Sequence, residues 1–100
     1  MRIIIYPLIL EKLQNKHGVS ADEVEQAFVN REGSLAKEVR PQNQRDEPRL
    51  WFISQTDKGR ELKVVFFFDV DENAPVVITA YEPDDDEVKL YEKIQQQKKK

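Results

Sequence analysis

Cysteine is absent from this 100-residue chain, so neither a disulfide framework nor a thiolate zinc site can form. A single histidine excludes a histidine-rich metal site. Three scattered glycines make no phosphate-cradling loop, and no serine stands in an evident histidine–acid arrangement. No apolar run approaches the ~20 residues that span a bilayer. The apolar start, Met1 to Leu10, is followed by no small-residue cleavage site, so no signal peptide is expected. The expected location is the cytoplasm. Charge and apolar residues are what remain, at 35% and 39%, enough for one core under a well-solvated surface. One domain over residues 1–97 is expected, with 98–100 as a disordered lysine tail.

The net charge of −3 is unevenly distributed. Residues 31–63 hold eight Lys and Arg against six acids. Residues 69–92 hold nine acids and only Lys89. An overall acidic chain repels phosphate at long range, so any nucleic-acid contact must be a local pocket. The alternative is that these charges only solvate the surface.

Arg2 to Pro7 is β-branched and closed by proline, which predicts an edge strand. Pro7 then opens a helix through about Lys16, ended by Gly18 in the left-handed position. Ser20 and Glu23 form a capping box for a second helix carrying Val24, Ala27 and Phe28. Residues 33–48 have no clean period and read as a long loop, with a short helix around Leu35–Val39. Three strands follow at 50–56, 62–69 and 76–81, with short turns between them, which predicts an antiparallel meander. Asp84 and Glu87 cap a last helix with Val88, Tyr91 and Ile94 in its stripe, supported by Leu90. Residues 95–100 are expected to fray.

The expected fold is therefore α+β. A small twisted antiparallel sheet, an edge strand plus the meander, packs with two N-terminal helices and one C-terminal helix. The strand Leu62–Phe68 is apolar on both faces and must be covered on both. The first two helices would take one face, and the last helix or a partner protein the other.

Lys16-His17-Gly18-Val19-Ser20, followed by an acidic helix ending in Ala27-Phe28, resembles the opening of BrnT-type toxins, which usually read K-H-G-[VI]-x-F-x-E-A-x-x-V/A-F. The run Thr79 to Tyr91 is similar to that family's C-terminal S-A-R-x-A-x-x-x-E-x-x-x-Y, with Glu87 and Tyr91 at the right spacing. The resemblance spans roughly residues 8–92. It implies a RelE-like fold, metal-independent RNA cleavage without a cofactor, and an antitoxin protein covering the active face. Two departures bear on catalysis: Tyr81 stands where the family has Arg, and the chain is acidic. Some sequences of this general look carry the name ADP-ribosyl-dinitrogen reductase hydrolase. The residues give it no support, because no two-metal carboxylate site is evident.

Metal-free RNA cleavage needs a base for the 2′-hydroxyl proton, cations for the developing phosphorane charge, and an acid for the leaving oxygen. The phosphate-binding candidates are Arg45, Arg49, Arg60 and Lys63, and Arg60 is also a catalytic candidate. Surface solubility and protection of an apolar strand are their alternative. His17 is the acid–base candidate by residue type, or else a favourable side chain at a helix C-terminus. Tyr81 could donate a proton or stack on a base, or pack at a sheet margin. Trp51 and Phe66–Phe68 are stacking platforms or core. Asp84, Asp85 and Asp86 read as helix-start residues, and no metal site is expected. A non-enzymatic interaction domain of the same fold is the rival reading, and a metal-dependent hydrolase a third.

Overall fold

The computed structural model describes residues 2–38 and 48–98. Two helices, α1 (Pro7–His17) and α2 (Ala21–Val29), precede strands β1 (Ala36–Lys37), β2 (Leu50–Gln55), β3 (Glu61–Asp69) and β4 (Ala74–Tyr81), and helix α3 (Asp85–Lys98) follows. The strands form one antiparallel sheet in the order β1-β2-β3-β4. The expected α+β class and the three-strand meander are both present.

Local capping chemistry fixes the helix ends. Pro7 occupies the first turn of α1, and Gly18 ends it at φ 61°, a left-handed conformation that glycine adopts without strain. The Ser20 hydroxyl accepts the Glu23 amide, and the Glu23 carboxylate accepts the Ser20 amide in return. Asp84 and Glu87 exchange the same pair of bonds at the start of α3, at 2.8 and 3.1 Å. That use as a cap accounts for Asp84 without a metal.

Helices lie on both faces of the sheet, but only one face of β3 is fully covered: on the other, α3 packs over β2 and leaves Val65 and Phe67 half-buried. Leu62, Val64 and Phe66 are buried beneath α2, where the Phe28 ring meets Phe52 and Phe66 edge-on at 4.9 and 5.2 Å. On the opposite face Trp51 packs against Tyr91 of α3, with ring centroids 5.5 Å apart. Burial pushes the Tyr91 hydroxyl pKa up. The sheet register places Ile53, Lys63 and Tyr81 side by side across three strands on this second face.

Four expectations are corrected. Residues 2–6 do not form a strand: Ile4 alone bridges β4, in parallel, donating to the Pro75 carbonyl and accepting from Val77, both at 2.9 Å. Pro75 has no N–H to offer Arg2, and the Tyr6 carbonyl is taken by Leu10 in the first turn of α1, so the ladder stops on both sides. The edge strand lies at the other margin, where a short helix was expected: Ala36 and Lys37 pair with Trp51 and Leu50, and Glu38 donates to the Arg49 carbonyl. Residues 95–98 are helical, because the Gln95 amide group binds both the N–H and the C=O of Ser34 and the Lys98 ammonium donates to the Leu35 carbonyl. Leu90 is half exposed and does not join the buried stripe. Residues 99 and 100 of the expected tail, and residue 39 of the expected helix, lie outside the described residues.

Candidate functional site

The hairpin between β2 and β3 positions the central group. The Thr56 hydroxyl accepts the Arg60 amide at 3.1 Å, the Thr56 amide donates to the Arg60 carbonyl, and Gly59 turns the chain at φ 87°. This closure aims Arg60 at the C-terminus of α1. Its guanidinium donates through Nη1 to the Gly18 carbonyl at 2.8 Å and through Nη2 to the His17 carbonyl at 3.1 Å. A helix end leaves such carbonyls without intrahelical partners, and a cation there also suits the helix dipole. Nη1 also meets both oxygens of Glu23, at 3.0 and 3.1 Å, and Nε meets Glu82 at 2.7 Å.

Glu23 is held below the usual carboxylate range, first by the Ser20 amide and then by Arg60, against the opposing effect of burial. The Arg60 pKa is raised by its bonds to Glu82 and Glu23.

Beside this network lies a second. Glu87 accepts the Lys63 ammonium at 2.8 Å and the Tyr81 hydroxyl at 2.6 Å. Burial alone would raise the Glu87 pKa; those two bonds and the Asp84 amide outweigh it and hold the pKa low. The Lys63 ammonium also stands over the Trp51 ring, 4.4 Å from its centroid. The two networks touch where the His17 ring lies 5.6 Å from that of Tyr81.

Four candidates from the sequence, His17, Arg60, Lys63 and Tyr81, thus share one end of the sheet. Arg49 does not join them: it precedes Leu50, which pairs with Phe66, whereas Lys63 pairs with Ile53. Arg45 lies outside the described residues. Three carboxylates, Glu23, Glu82 and Glu87, were absent from the sequence-based candidates. The two capping boxes signalled Glu23 and Glu87, but as helix caps rather than as partners of cations. Trp51 and Phe66 serve the core, and Phe68 is partly exposed near the far end of β3.

A separate open cleft of ≈ 1040 Å³ lies between the ends of α2, β2 and α3. Its charged lining is Arg31 against Glu32, Asp57, Glu61 and Glu92, an acidic surface that repels phosphate, and it includes none of the candidate residues. Among the described residues, no cluster of three acidic or histidine side chains is placed to hold a metal. No described helix is long and apolar enough to cross a membrane. No family model matches the chain, and no curated protein matches it significantly.

Proposed function

We propose that this chain is a BrnT-like, toxin-type ribonuclease of RelE-like build, or a degenerate relative of one, restrained by an antitoxin protein. The observation that carries this reading is the contact between the two segments that bear the family resemblance. His17 of the first and Tyr81 of the second lie ring against ring at 5.6 Å, with Arg60 and Lys63 beside them. These are groups suited to metal-free cleavage. In that reaction the 2′-oxygen attacks the adjacent phosphorus, the bond to the 5′-oxygen breaks, and a 2′,3′-cyclic phosphate remains. His17 would exchange the proton, Tyr81 would stack or donate, and the two cations would face the developing negative charge.

Incubation of the pure protein with RNA at low salt, with and without EDTA, tests this. The expected result is EDTA-insensitive cleavage that is weakened by His17→Ala in a protein of unchanged circular dichroism. RNA left intact by soluble, folded protein overturns the active ribonuclease.

One observation favours the rival, a non-enzymatic interaction domain. Arg60 and Lys63 each bind carboxylates at 2.7–3.1 Å, so their charge is already compensated. That reading predicts intact RNA under all these conditions.

A further inference from the structure

We propose that Glu82 is a displaceable carboxylate latch on Arg60, and that a phosphodiester of RNA takes its place when the site is occupied. The proposal rests on reading this cluster as an RNA-acting site, and it adds the means by which that site is held shut.

The contacts around Arg60 are of two kinds. On one side the guanidinium is anchored to the fold: the His17 and Gly18 carbonyls belong to the end of α1, and Glu23 is fixed by its own capping box. The Glu23 side chain is 27% exposed. On the other side is Glu82, 63% exposed and, among the described residues, bonded through one oxygen to Nε alone. Arg60 itself is mostly buried, but the Glu82 end of the pair lies in solvent, where water can replace the contact, so Glu82 is the exchangeable partner. The anchored contacts hold the guanidinium in place while that happens.

A phosphate has two features that Glu82 lacks in this pose. It can meet Nε and Nη2 together, the side-by-side geometry in which guanidinium binds anions best. It can also reach past the guanidinium toward the His17–Tyr81 pair, where the proposed chemistry sits. With Glu82 engaged, the cluster holds Arg60 and Lys63 against Glu23, Glu82 and Glu87, a net negative site. Moving Glu82 aside leaves the two cations balanced by two carboxylates.

The test compares wild type, Glu82→Gln and Asp85→Asn for binding of a short fluorescein-labelled single-stranded RNA by anisotropy at low salt, with cleavage followed in parallel. Asp85 is an acid close by in sequence and controls for a general loss of negative charge. Glu82→Gln is expected to bind roughly three- to fivefold tighter than wild type, the release of one exposed ion pair. Asp85→Asn is expected to match wild type. Equal affinity of Glu82→Gln and wild type, an equal gain by Asp85→Asn, or no measurable binding by any of the three overturns the latch. Tighter binding by Glu82→Gln with no cut RNA keeps the latch and removes the ribonuclease. Cleavage with unchanged affinity keeps the ribonuclease and removes the latch.

Discussion

Arg60 closes a helix that ends 42 residues earlier: its Nη1 donates to the Gly18 carbonyl at 2.8 Å, and its Nη2 to His17. A residue selected from the sequence for phosphate is also a fastener between a hairpin and a helix. Its replacement therefore changes stability as well as chemistry.

Arg60→Ala should lower unfolding free energy by about 2 kcal/mol, since it frees two helix-end carbonyls and leaves Glu23 without its cation. Arg60→Lys should fall between, keeping the charge but not the planar fork. Lys58→Ala, on the same hairpin, should be neutral. Urea denaturation measures all three, and equal midpoints for Arg60→Ala and Lys58→Ala would refute the fastening role. Any loss of activity in Arg60→Ala must be read beside that curve.

Acid should weaken the fold through Glu23 and Glu87. Both carboxyls have folded pKa values below their ordinary value. Their contribution is complete above the unfolded value of about 4.3 and is lost as pH falls through the folded values. Melting temperature should therefore drop on acidification below about pH 4.5, and Glu23→Gln and Glu87→Gln should each flatten part of the drop. Slopes identical to wild type would refute the assignment.

Gly33→Ala should loosen α3. A methyl group there would meet the Tyr91 hydroxyl at 2.7 Å and Gln95 Oε1 at 2.8 Å, the two groups that bind Ser34. Both are tips of side chains that can shift, so the loss should be about 1 kcal/mol, the low end for overpacking. Faster hydrogen exchange at the Ser34 amide is the specific readout; unchanged exchange would mean that the clasp tolerates the methyl.

Pro75→Ala should extend the pairing of the N-terminal segment. It supplies the N–H that the Arg2 carbonyl lacks in the register set by Ile4 and Val76. A slowly exchanging amide at residue 75 is expected. Rapid exchange there would show that something other than the missing donor ends the ladder.

What the sequence made legible was mostly local. Gly18 and the Ser20–Glu23 and Asp84–Glu87 pairs act within a few residues of themselves, and each stands where its spacing placed it. The two-sided apolar pattern of β3 was legible only in part: α2 buries Leu62, Val64 and Phe66 on one face, but α3 packs over Trp51 of β2 on the other and leaves Val65 and Phe67 half-buried. Ala36–Lys37 was illegible because two residues carry no period; their conformation is imposed by β2 and by α3 through Ser34. Pro75 interrupts the N-terminal ladder from the distant strand β4, out of sight of the sequence around Arg2, whereas Pro7 acts in its own neighbourhood by opening α1. The site divides in the same way. Arg60, Lys63, His17 and Tyr81 were identifiable by residue type, but the Glu23 and Glu82 contacts of Arg60 bridge 37 and 22 positions and follow only from the assembled sheet.

The bonds from Gln95 to Ser34 span 61 positions, and they secure the approach to the outermost strand. During synthesis, the segment leading into β1 leaves the ribosome long before the side chain that fastens it. The meander and first two helices can assemble earlier, since their partners are already translated. That sheet margin is therefore the last to be locked, and a nascent chain stalled before Gln95 would carry an unfastened border.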